Sequence, residues 1–154
     1  MHMNIDNIQD RLIAEFEAFS NKSHRFAYFK KLIQIGQELE PISKEELDSE
    51  HEVKASKSNI WIKAQLREGR IYFTADSDNL ISKGLVGLLL KVFSGNTPRD
   101  IINMNLYCLN EIDLYDRLSE DWLADLHAII LKMKALTAKL RVLEINQLNM
   151  ASAV

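Results

Sequence analysis

Hydrophobic residues recur along this chain with two distinct periods. Ile5, Ile8, Leu12, Ile13 and Phe16 fall three or four apart and predict a first amphipathic helix. A second is predicted after Ser23, carrying Phe26, Phe29, Leu32, Ile33 and Gln37, with Gly36 and Pro41 marking its end. Ser43 and Glu46 have the spacing of a capping box for a short turn. From Asn59 to Leu66 the period drops to two: Ile60, Ile62, Ala64 and Leu66 alternate with Asn59, Trp61, Lys63 and Gln65. Glu68-Gly69 turns the chain, and Ile71, Phe73 and Ala75 alternate with Arg70, Tyr72 and Thr74. The pattern predicts an antiparallel hairpin. Val53-Lys54 is a candidate third strand.

Helical spacing returns after Asp76-Ser77-Asp78, whose side chains suit the free N–H groups of a helix start. Leu80, Ile81, Gly84, Leu85, Leu88, Leu89 and Val92 form a stripe wide enough for a central core helix, ended by Ser94-Gly95. Thr97-Pro98 opens the next helix, and Cys108, Leu109 and Ile112 belong to another short one. Ser119 is expected to cap a long last helix with Leu123, Leu126, Ile129, Ile130, Met133, Leu136 and Leu140 inward. The reading is α+β: a small antiparallel sheet packed against several helices in one domain over residues 1–140. Residues 141–154, with Val142, Leu143, Ile145, Leu148 and Met150, form a C-terminal extension. Its expected fates are a continued helix, packing on a neighbouring chain, or disorder after Gln147.

A chain of 154 residues suffices for one sizeable core. Net charge is −3 and Lys and Arg form no dense run, so the basic face that a nucleic-acid partner needs is not visible in the sequence. The longest apolar run, Leu85–Leu90, is too short for a bilayer span, and the N-terminus lacks the pattern of a signal peptide. The single cysteine allows no internal disulfide, which fits a reducing, cytoplasmic setting. Four scattered histidines and one cysteine show no metal-ligand spacing.

Several segments, in order, resemble the SufE family of iron–sulfur cluster assembly. They are Leu32-Ile33-x-x-Gly36, Ser58-x-x-Trp61, Ile71-Tyr72-Phe73-Thr74-Ala75-Asp76-Ser77-Asp78, Lys83-Gly84-Leu85 and Gly95-x-Thr97-Pro98-x-x-Ile101. The resemblance implies a SufE/IscU-like fold. It also implies a sulfur acceptor that binds a SufS-like cysteine desulfurase, a PLP enzyme, and passes persulfide sulfur to an Fe–S scaffold. No cofactor of its own is implied, and the chain is expected as a monomer or homodimer. The implied docking surface is the loop from His51 to Asn59, with His51, Lys54, Ala55 and Lys57, and the turn from Asp76 to Asp78. Trp122 stands at a position that the resemblance implies lies near the loop.

The departures from the family pattern cluster at that surface. The family's loop reads Gly-Cys-Gln-Ser, with the cysteine carrying the persulfide; here it is Ala55-Ser56-Lys57-Ser58. Where the family reads Ser-Pro-x-Arg-x-x-Gly-Leu, this chain has Ser119-Glu120-Asp121-Trp122-Leu123-Ala124-Asp125-Leu126. One exchange at Ser56 would not by itself account for Ala55, Trp122 and Asp125 together; natural or designed loss of the acceptor site does, and a single engineered exchange in an already divergent member is the alternative.

A serine hydroxyl forms no persulfide, and Ser56 as a nucleophile needs a base. His51 lies five residues before it, with no supporting pattern, so Ser56 reads as a loop serine bonded to backbone. Cys108, in Leu106-Tyr107-Cys108-Leu109, reads as a buried core thiol, with a displaced sulfur site as the alternative. Asp76, Ser77 and Asp78 read as helix-capping residues, and Trp61 as cover for the second face of the sheet. Three functions follow, in order of support. The first is a SufE-like desulfurase partner unable to carry persulfide; the second is a SufE-fold interaction module without a sulfur role. The third is an enzyme using Ser56 or Cys108.

Overall fold

The computed structural model describes residues 4–19 and 24–152. Helix α1 spans Ile5–Phe16, and the Asn4 side chain accepts the Asn7 N–H at its start (2.8 Å). A 3-10 turn follows at Glu17–Phe19. Helix α2 spans Arg25–Gln37; the predicted start signal at Ser23 lies outside the described residues. Strands β1 (Ile60–Arg67) and β2 (Arg70–Ser77) pair antiparallel in the register Ile60 with Ser77 through Arg67 with Arg70. Glu68 and Gly69 both take positive φ (51° and 77°), which matches the twist of a two-residue hairpin turn. Helix α3 (Leu80–Phe93) lies against the hairpin, with α4 (Pro98–Asn103), α5 (Cys108–Glu111), α6 (Leu114–Arg117) and the long α7 (Glu120–Ser152) completing the chain. This is the α+β arrangement the periods predict, with a two-stranded sheet. The third strand does not form. Glu52 bridges Trp61, and Val53 N–H donates to Ile60 O (2.7 Å) and Ile62 N–H to His51 O (2.8 Å), after which the chain turns away.

Helix α3 is the centre of the core. Leu85, Val86, Leu88, Leu89, Val92 and Phe93 are fully buried, between α2, the hairpin and α7. Glycines set how close α2 comes. A Cβ on Gly36 would sit 2.8 Å from the Gly84 nitrogen, and one on Gly84 would overlap the Leu32 carbonyl. Gly36 is therefore a helix-packing residue one position inside α2, and not the stop signal the sequence suggests.

Other expectations at this level need correction. Phe26 is 83% exposed, and the inward positions of α2 are Tyr28, Leu32 and Ile35. Tyr28 takes the core place with its hydroxyl donating to Ile112 O (2.6 Å), which a phenylalanine could not do. Leu80, at the first position of α3, faces solvent because the core side begins at Ile81. Ser43 makes no capping bond, so the Lys44–Glu46 turn is held by the backbone bond from Glu46 N–H to Ser43 O (3.0 Å). Asp76, Ser77 and Asp78 do not cap α3. Asn79 does, accepting from Ile81 and Ser82 N–H (3.0 Å each), because the strand runs on through Ser77.

Candidate functional site

Between Val53 and Ile60 the chain makes a short loop without regular structure. Its two ends are fixed by the backbone bonds of the incipient third strand and by Asp78. That carboxyl group accepts from Asn59 N–H (3.2 Å) and from the Asn59 side-chain amide (2.7 Å), while Asp78 N–H donates to Asn59 O (3.2 Å). Ser77 reinforces the join, its hydroxyl donating to the same Asn59 carbonyl (2.8 Å). Asp76 faces the other way, in an ion pair with Lys83 (3.3 Å). The turn expected to cap a helix instead ties down the end of the loop.

The middle of the loop is held by Asp125, a fully buried carboxyl group on the second turn of α7. Its Oδ1 accepts from Lys57 N–H (2.6 Å) and Ser58 N–H (3.4 Å), and its Oδ2 accepts from the Ser82 hydroxyl (2.9 Å). Ser82 in turn lies 2.9 Å from the Ser58 hydroxyl. Loop, α3 and α7 thus meet in one closed network. Among the described residues no buried side-chain nitrogen or oxygen lacks a partner, so this polar cluster is satisfied. Sequence reasoning noted Asp125 only as a departure. The signal available was an acidic residue at a core-facing position of the last helix, beside Leu126 and one turn before Ile129.

Ser56, half-buried, points into the loop and not out of it. Its hydroxyl oxygen lies 2.7 Å from Val53 O and 2.6 Å from Ser58 O. One proton serves one of these carbonyls at a time, so two oxygen dipoles converge on the position. That environment disfavours negative charge there. Ala55 and Lys54 are exposed, and Ala55 has no positive φ; the loop bends without the left-handed residue that a glycine would favour. Lys57 takes part through its backbone, its side chain being exposed.

His51 is not placed to serve Ser56. Its Nδ1 is bonded to Asp48 Oδ1 (2.7 Å), and the His51 N–H, donating to the same carboxyl group, keeps Asp48 below the usual carboxylate range. Trp122 is half-buried against Phe29 of α2, ring centroids 5.7 Å apart, and Arg25 lies over the other partner of that pair, 5.0 Å from the Phe29 centroid. Trp61 is half-buried opposite Asp76 in the hairpin. Cys108 is fully buried, and burial raises its thiol from about 9 to about 12. Its N–H donates to Gln9 Oε1 (3.1 Å), tying α5 to α1. No group of three or more His, Cys, Asp or Glu able to hold a metal occurs among the described residues, and no helix there is long and apolar enough to cross a membrane.

The profile of the SufE family, the Fe-S metabolism associated domain, matches residues 10–137. The chain belongs to the SufE family. Its fold is also that of the solution structure of a hypothetical protein from Thermus thermophilus, with a TM-score of 0.68 over 86% of this chain and 94% of that one, at 16% identity. Membership in the SufE family associates the chain with Fe–S metabolism. Within it, the loop carries serine at position 56, and the one cysteine of the chain lies elsewhere, inside the core.

Proposed function

We propose that this SufE-family chain docks on a SufS-like cysteine desulfurase through the His51–Asn59 loop and the Asp76–Asp78 turn, without accepting persulfide sulfur. The observation that carries this reading is the Ser56 hydroxyl held between the Val53 and Ser58 carbonyls. Sulfur acceptance needs a thiolate that attacks the desulfurase persulfide, stabilised by nearby cations or N–H donors. Position 56 offers no thiol, and the N–H groups of the two residues that follow, Lys57 and Ser58, are already taken by Asp125. Cys108 offers a thiol that is buried and protonated at neutral pH. In this reading the protein acts in the cytoplasm and binds no cofactor of its own. An Fe–S scaffold gains sulfur from it only if a thiol is restored.

The test is sulfide release by a purified SufS-type desulfurase, together with a binding isotherm for the pair. Saturable binding without persulfide-dependent stimulation is expected. Strong stimulation by the unaltered chain overturns the reading; if it then disappears in Cys108→Ser, the acceptor has moved to Cys108. Absence of binding favours the second reading, a SufE-fold interaction module without a sulfur role, for which the fully tied-down loop speaks. Ser56→Cys alone is expected to recover little activity. Ala55→Gly, Ser56→Cys, Trp122→Arg and Asp125→Gly together are expected to recover more, because they free the loop and return a cation to it.

A further inference from the structure

Helix α7 has two apolar faces on opposite sides. Leu126, Ile129, Met133 and Thr137 are buried on one side, where α7 meets α3, α4 and β1. On the other side Leu131, Ala135, Ala138, Val142 and Ile145 succeed one another at steps of four and three, the spacing of a coiled-coil seam. All five are exposed, Leu131 at 69%, Val142 at 56% and Ile145 at 44%. The seam runs about 21 Å at 1.5 Å per residue. A single helix needs only one apolar face to join a core, so the second has no role inside this chain.

The charge beside the seam says what fits it. Lys132 and Lys139 flank one edge, Lys134 and Arg141 the other. None of the four belongs to an ion pair among the described residues. Between residues 126 and 152 the only acidic residue is Glu144, so this stretch is basic in a chain of net charge −3. Two copies packed through this face would oppose cation to cation in either orientation, which disfavours self-pairing. Ala135 and Ala138 make the middle of the seam shallow, leaving room for large side chains of another helix; a lipid surface would call for bulky or aromatic residues there. We infer that this face of α7 is a docking surface for an amphipathic helix of another protein, with apolar residues at its seam and acidic residues at the flanking positions. The surface begins more than a turn beyond Asp125 and on a different side of α7, so the loop and this face can be engaged together.

The probe is a fluorescein-labelled synthetic helix of about three heptads, with Leu and Ile at the seam and Glu on both flanks, titrated with the full chain and followed by fluorescence anisotropy. Saturable binding is expected. A partner peptide with Lys in place of Glu should not bind. Leu131→Glu with Val142→Glu should weaken binding about 30-fold or more, the effect of losing one central anchor. Lys132→Glu with Lys139→Glu should weaken it too, and 0.5 M salt should do the same to the unaltered chain. Leu131, Lys139 and Val142 are exposed and Lys132 is half-buried outside the core, so circular dichroism and desulfurase binding should stay unchanged. Equal binding of the Glu and Lys peptides, or no saturable binding of either, overturns the inference. So does sedimentation equilibrium showing a dimer abolished by the same seam variants, or stronger retention on phosphatidylglycerol vesicles than by the peptide.

Discussion

At the scale of single residues, Asp125 has the largest effect for its size. Both its oxygens accept bonds, from two loop amides and from Ser82, in a place closed to water. Truncation leaves the partly buried Lys57 and Ser58 amides without this acceptor and the buried Ser82 hydroxyl with only that of Ser58. Asp125→Ala is expected to cost about 3 kcal/mol, within the range for unsatisfied buried groups. Hydrogen exchange at the Lys57 amide should accelerate more than that of the hairpin amides; equal protection in both variants would count against the latch. Cys108 gives a pH prediction with a defined sign. Its thiol is raised from about 9 to about 12 by burial, so the folded state favours the protonated form. The stability this contributes is fully present below about pH 9 and is lost as pH climbs toward about 12. Cys108→Ala should flatten that part of the pH–stability curve. At pH 8 iodoacetamide should alkylate Cys108 only as fast as the protein opens, and rapid labelling of the native chain would place the thiol at the surface.

Among the elements, the approach of α2 to α3 rests on glycines, and two of the chain's glycines separate close packing from turn geometry. Gly84 faces the backbone of Leu32, which cannot yield as a flexible side chain would. Gly84→Ala is expected to destabilise by about 3 kcal/mol, the upper range of overpacking. Gly69 has φ +77° with nothing within 4 Å of a would-be Cβ. Gly69→Ala should therefore cost only the strain of a left-handed alanine, about 1 kcal/mol. Denaturant midpoints of the two variants decide this, and the reverse order would place the close contact at the hairpin.

For the molecule as a whole, one core joins the hairpin to the helices through α3. Ile62 and Leu85 are fully buried and Phe73 nearly so, from three different elements. Replacing any of them with Ala is expected to cost about 2–5 kcal/mol. The three losses should appear as one cooperative transition by fluorescence and circular dichroism alike. Separate transitions would mean that the hairpin and helices hold separate cores.

The hairpin register, the central helix and the long last helix were legible in the chain because each rests on a local period and on turn chemistry. Ile60 and Ile62 on one face, Glu68-Gly69 at the turn and Thr97-Pro98 at a helix start act through neighbours in sequence. The family could be read for the same reason, since its motifs are short and ordered. The sequence pattern did not separate Phe26 from Tyr28, because which of two nearby aromatics turns inward depends on where Ile112 offers a carbonyl. Nor could it make Gly36 a packing residue, since Gly84 meets it only in the folded chain. The candidate site shows the same division. That Ser56 lacks a thiol is plain in the sequence. That its oxygen faces two carbonyls, and that Asp125 holds the loop from 68 residues away, depends on hydrogen bonds between distant segments, and only tertiary packing brings those together.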